Sequence, residues 1–213
     1  MPAVRQAVIS ARRVPVTVSF VVLLAIAEIG YALLTHDDEL RFAAWASTNV
    51  ARLRTEPFGP MIVSAFVVQE DPLAWLIVGG AAFAIVEWRL GWWRALVAAL
   101  AAQVVGTLVS EGIVWWRVND RALPASAQHQ LDVGASYVVV GVLAAAVVVG
   151  PGVGRILAAI VLVALSPALL DGITSLNVAA VGHLTALVIG VVSGLLLSVS
   201  AQKSAPRLAG QAA

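Results

Sequence analysis

Between Asn177 and Ser200 the chain reads NVAAVGHLTALVIGVVSGLLLSVS, twenty-four residues without a formal charge. As a helix at about 1.5 Å per residue, this stretch is long enough to cross a bilayer. Gly182, Ala186, Gly190 and Gly194 recur every fourth residue, so they fall on one face as a smooth ridge that a neighbouring helix can approach closely. His183 stands beside that ridge. An imidazole in an otherwise apolar span is costly to bury alone, which makes it a candidate site and calls for a polar partner.

Five further apolar runs precede it, at roughly 14–34, 72–87, 92–114, 133–150 and 155–170. Only 12% of the 213 residues are charged and 61% are hydrophobic, against about 25% charged in a soluble domain. The expected class is therefore an all-α polytopic membrane protein with six helices. The second and fifth runs are short for a span and need flanking turns or a thinned bilayer. The net charge of +1 gives no nucleic-acid signal, and the absence of cysteine removes disulfides and thiolate chemistry. With the N-terminus inside, the inner flanks hold Arg5, Arg12, Arg13, Arg89, Arg94, Arg155, Lys203 and Arg207 against one acid, Glu87. The outer loops hold Arg41, Arg52, Arg54, Arg117 and Arg121 among most of the acids. That balance predicts both termini in the cytoplasm and a multi-pass protein of the cell membrane. The expected division is a cytoplasmic segment 1–13, a membrane domain 14–200 and a flexible cytoplasmic tail 201–213.

The first outer loop, about 36–71, is too apolar for a disordered connection, and Trp45, Phe58, Ile62 and Phe66 predict short helices in the membrane interface. Trp115–Trp116 and Trp92–Trp93 read as interfacial anchors. The run Gly150-Pro151-Gly152-Val153-Gly154 has no preceding strand and no following Lys-Ser/Thr, so it is a tight inner turn and not a phosphate loop.

The partner of His183 is sought at equal depth. Ser136 lies about one turn below Asp132 in the fourth span, and His183 one to two turns below the outer start of the sixth. Both then fall in the outer third of the membrane. Gly134, Gly141 and Ala145 are the small residues expected to face the Gly182–Gly194 ridge. A serine hydroxyl against a neutral imidazole is the smallest arrangement for nucleophilic acyl transfer. The plain alternative is a histidine hydrogen-bonded to Ser136, Tyr137 or Thr185 for packing alone. His36 and His129 lie in polar loops and are expected to be solvated. Glu28 and Glu111 sit within spans, where snorkelling or a structural hydrogen bond is the expected resolution. A small transporter built on Glu28, Glu111 and His183 lacks the inverted repeat or broken-helix pair that such proteins use. His183 with Asp132 or Asp171 supplies too few ligands for a metal, and no cofactor is expected.

Gly134-Ala135-Ser136 on the fourth helix, followed by Gly182-His183-Leu184 and Gly190 on the sixth, resembles the rhomboid family of intramembrane serine proteases. Glu87-Trp88-Arg89-Leu90-Gly91 is similar to the turn that rhomboids carry after helix two, and Glu56-Pro57 through Ser64-Ala65-Phe66 to their first-loop segment. The resemblance covers about 56–198. It implies a six-helix rhomboid-like bundle, Ser136 as nucleophile, His183 as general base, a site open to the outer face, and single-pass membrane proteins as substrates; membrane lipids surround it. Two departures point to a second reading, a catalytically inactive rhomboid-like protein that binds membrane partners. Tyr137 follows Ser136 where the family has a second glycine. The family's helix-two His and Asn are replaced, at the corresponding spacing, by Asp71 and Trp75, with Gln69 or the backbone N–H of Ser136 as substitute oxyanion donors.

Overall fold

The computed structural model describes residues 14–68 and 71–209, the side chains of 203–209 excepted; Arg5, Arg12, Arg13 and Gln69 lie outside the described residues. These residues form nine α-helices and three short 3-10 turns, without a strand. α1 is Pro15–Ala32, α2 His36–Ala46, α3 Val50–Thr55, α4 Phe58–Val63, α5 Pro72–Leu90, α6 Trp92–Asn119, α7 Ser136–Val149, α8 Gly152–Leu169 and α9 Val178–Ala209. Five of them, α1, α5, α6, α8 and α9, are long and apolar enough to span a bilayer. The two short spans gain the flanking turns they needed, reaching 19 residues in α5 and 18 in α8. α9 continues past the expected end at 200 as far as Ala209, so residues 201–209, expected as tail, are helical.

α7 is different. It begins at Ser136, not at 133 as its hydropathy suggested, and its 14 residues measure only about 21 Å against a hydrocarbon core of about 30 Å. Residues 130–134 are irregular, so the chain approaches α7 without helix and turns helical at the serine. Part of that irregular backbone is satisfied by another segment: the Asp132 amide donates to Ser47 Oγ and its carbonyl accepts from the Thr48 amide, both at 2.9 Å. Tyr137 through Ala146 are all buried, and α7 packs against α5, α6, α8 and α9, which makes it the axis of the bundle.

Small residues set how near the neighbours come. A side chain at Gly190 would collide with the carbonyl of Gly141, and one at Gly141 with the methyl of Ala102 on α6. At Gly194 it would begin 3.3 Å from the Cα of Ala145. The expected ridge on α9 thus meets Gly141 and Ala145 of α7, whereas Gly134 lies in the entering segment and not on a helix face. Beside a core that includes Leu24, Phe83 and Val86, many large apolar side chains point outward, as at Ile26, Val163 and Leu196. That distribution suits a lipid solvent.

Carboxylates inside the fold serve as helix and loop anchors. Glu87, 1% exposed, accepts from the Val16 and Thr17 amides at 2.9 and 2.7 Å and from the Thr17 hydroxyl at 2.8 Å, capping α1 from the end of α5. Glu28 accepts from the amide of Val68 at 2.7 Å and Glu111 from that of Val50, the first residue of α3, at 2.9 Å. Glu28 and Glu111 therefore resolve as structural hydrogen bonds to the segment 36–71, whose short helices α2 to α4 appear as expected.

Candidate active site

Ser136 is the first residue of α7 and His183 the sixth of α9, and both are half-buried. His183 Nε2 lies 2.9 Å from Ser136 Oγ. Its other ring nitrogen, Nδ1, lies 2.9 Å from the carbonyl oxygen of Leu169. Leu169 ends α8, so its carbonyl is one of those a helix leaves without an internal donor. A carbonyl can only accept, which puts the imidazole proton on Nδ1 and leaves the Nε2 lone pair facing the serine hydroxyl. The ring is therefore oriented as a base towards Ser136. The two residues that sequence reasoning paired at equal depth are in contact; His36, 3.6 Å from Glu39 on α2, and His129, in the turn 125–129, take no part.

Tyr137, which follows the serine, is buried. Its ring lies in the junction of α6, α7 and α9, where any side chain at Gly182 would run into it and one at Gly106 would begin 3.4 Å away. There it meets the His183 ring edge-on, with centroids 5.3 Å apart and planes at 80°. Such a contact holds the imidazole plane from the side opposite in role to the Leu169 carbonyl. The phenol oxygen reaches Asp132 Oδ1 and the Val178 carbonyl, both at 3.4 Å.

Asp132 links this group to the segment between α2 and α3. Its carbonyl accepts from the Thr48 amide at 2.9 Å, its carboxylate from the Thr48 hydroxyl at 3.1 Å, and its amide donates to Ser47 Oγ at 2.9 Å. Burial pushes the Asp132 carboxyl above its ordinary range, and the bonds from Thr48 and Tyr137 pull in the other direction. Ser47, Thr48 and Asn49 are all nearly inaccessible. Sequence reasoning passed over this triplet, although three consecutive small polar residues in an amphipathic loop were a usable signal.

The substitute for the family's oxyanion pair is absent from α5. Asp71 is exposed and spends its carboxylate on the amide of Ala74 as the helix cap. Trp75 is half-buried and packs against the core that includes Ala135, Val138 and Tyr137. What does point at the serine is the start of α7 itself, which no side chain caps. First-turn amides at an uncapped N-terminus are ready donors for a developing negative charge.

Residues 9–203 match the family described as rhomboid-like protein. The chain belongs to the rhomboid-like family. Neither the curated proteins nor the solved structures gave a match. A polytopic helical bundle in a lipid environment is what rhomboid-like membership entails, and the five spanning helices around α7 agree with it. Within this rhomboid-like protein the Ser136–His183 pair, the Leu169 carbonyl and the uncapped start of α7 are the groups that converge.

Proposed function

We propose that this rhomboid-like protein is an intramembrane serine protease that cleaves single-pass membrane proteins, with Ser136 as nucleophile and His183 as general base. The observation that carries the reading is the 2.9 Å bond from Ser136 Oγ to an imidazole nitrogen whose opposite nitrogen is tied to a carbonyl. In the reaction, Ser136 Oγ attacks the scissile carbonyl and its proton passes to Nε2. The first-turn amides of α7 hold the oxyanion, and the imidazolium then protonates the leaving amine. A water molecule, deprotonated by the same nitrogen, attacks the acyl-enzyme and releases Ser136. The helical start of α7 lies towards the outer side, so the scissile bond is presented there, with both termini in the cytoplasm.

The test is cleavage of a co-expressed single-pass substrate together with labelling of the purified protein by a serine-directed fluorophosphonate. Both signals vanish in Ser136→Ala and in His183→Ala under this reading. The second reading, an inactive rhomboid-like protein that binds membrane partners, is favoured by Trp75 and Asp71 standing where the family places side-chain donors. It requires that the wild-type chain is not labelled and that partner capture survives Ser136→Ala.

A further inference from the structure

At the opposite end of α7 from the serine, two arginines converge on one helix terminus. Arg89, next to the end of α5, donates from Nε to the carbonyl of Val149 at 3.1 Å. Arg155, near the start of α8, donates from a terminal guanidinium nitrogen to the carbonyl of Val148 at 2.7 Å. Each bond uses one corner of a five-donor fork, and both side chains are exposed. The helix end contributes about half a negative charge against two full positive ones, so the site keeps an excess of about one and a half.

Among the described residues no carboxylate pairs with either arginine. Among the described residues the ion pairs all fall between residues 36 and 56, in the first outer loop. Glu87, two residues from Arg89, has its oxygens turned to the start of α1. Beside the arginines lies a cleft of about 260 Å³ with apolar walls, lined by Ala84, Ile85, Trp88, Arg89 and Pro151. Gly154 brings α8 so close to α5 here that a side chain on it would begin 3.4 Å from Ile85.

We infer that this cleft binds one anionic phospholipid in the leaflet remote from Ser136, its phosphate diester held by Arg89 and Arg155 and an acyl chain lying along Ala84, Ile85 and Trp88. Charge complementarity selects the occupant. A fixed pair of guanidinium forks suits phosphate oxygens, and the uncancelled positive charge disfavours a headgroup that carries its own ammonium. The apolar wall continues from the arginines into the hydrocarbon region, which a free phosphate has no use for. The site is separate from the serine and histidine and does not depend on catalysis.

The experiment is native mass spectrometry of the full chain in detergent, with phosphatidylglycerol and phosphatidylcholine of identical chains, and with glycerol phosphate as the headgroup alone. One phosphatidylglycerol is expected to be retained about tenfold or more tightly than phosphatidylcholine. Arg89→Gln/Arg155→Gln removes that preference, and Ala84→Phe, which fills the cleft without touching charge, lowers retention as well. Circular dichroism checks that each variant keeps the wild-type helix content; should the double variant fail, Arg155→Gln alone carries the charge test and Trp88→Ala the wall test. Equal retention of the two lipids overturns the inference. So does full retention in folded cleft variants, which leaves diffuse surface charge only, or displacement of the lipid by glycerol phosphate.

Discussion

The two ends of α7 are built on opposite rules. At its start no side chain caps the helix, and Ser136 sits on bare amides. At its end, Arg89 and Arg155 each cover one of the last carbonyls. An ordinary helix gains about 1 kcal/mol from a side-chain cap at its N-terminus, so leaving that end open forgoes stability and keeps its amides available as donors. The remote end recovers some of it through cation–dipole contact. The helix is thereby held by its far end and by its flanks, while its near end stays open.

The largest expected effect breaks the near end. Ser136→Ala and His183→Ala each lower cleavage by about three orders of magnitude or more, read as product band intensity over time, and the double variant is no worse than either single one. Next comes the flank. Gly190→Leu drives a side chain into the Gly141 carbonyl and costs about 3 kcal/mol or more, seen as loss of monodisperse protein in detergent. Gly182→Ala sharpens the comparison, because its methyl group meets the Tyr137 ring; a cost of about 1–3 kcal/mol is expected in the wild-type background and little or none when Gly182→Ala is made in a Tyr137→Gly background.

A smaller effect tests the Asp132 clasp. Its carboxyl titrates above the unfolded value, so the folded state holds that proton more tightly. The stability associated with the proton is complete below the unfolded value near pH 4 and declines as pH rises through the raised folded one. Thermal melting in detergent should fall over that rise, and Asp132→Asn should flatten the profile. The smallest effect is at the remote end: Arg155→Gln lowers stability by about 0.5 kcal/mol in neutral detergent and leaves fluorophosphonate labelling unchanged.

The Ser136–His183 contact was legible because it needs only helical rise and a count of residues from the membrane boundary. The ridge of Gly182, Ala186, Gly190 and Gly194 was legible for a similar reason, since a period of four places small residues on one face. What stayed hidden depends on backbone atoms or on tertiary choice. The Leu169 carbonyl has no side-chain signature, yet it decides which imidazole nitrogen carries the proton. The late start of α7 was invisible to hydropathy, which cannot distinguish an apolar residue in an entering segment from one in a helix. The place of the Tyr137 ring was hidden as well, because the vacancy that receives it is supplied by Gly106 and Gly182, far away in sequence. The acids in the spans were readable as costly, but only the fold names the amides of Val50 and Val68 as their partners.

The carbonyl that fixes the imidazole proton belongs to α8, which rests mainly on α7 and turns most of its surface outward. The imidazole is in this way leashed to the least embraced rod of the assembly. Were a passing polypeptide to lever that rod aside, the leash would slacken and the proton could migrate to the nitrogen facing the hydroxyl, idling the pair until the rod swung home.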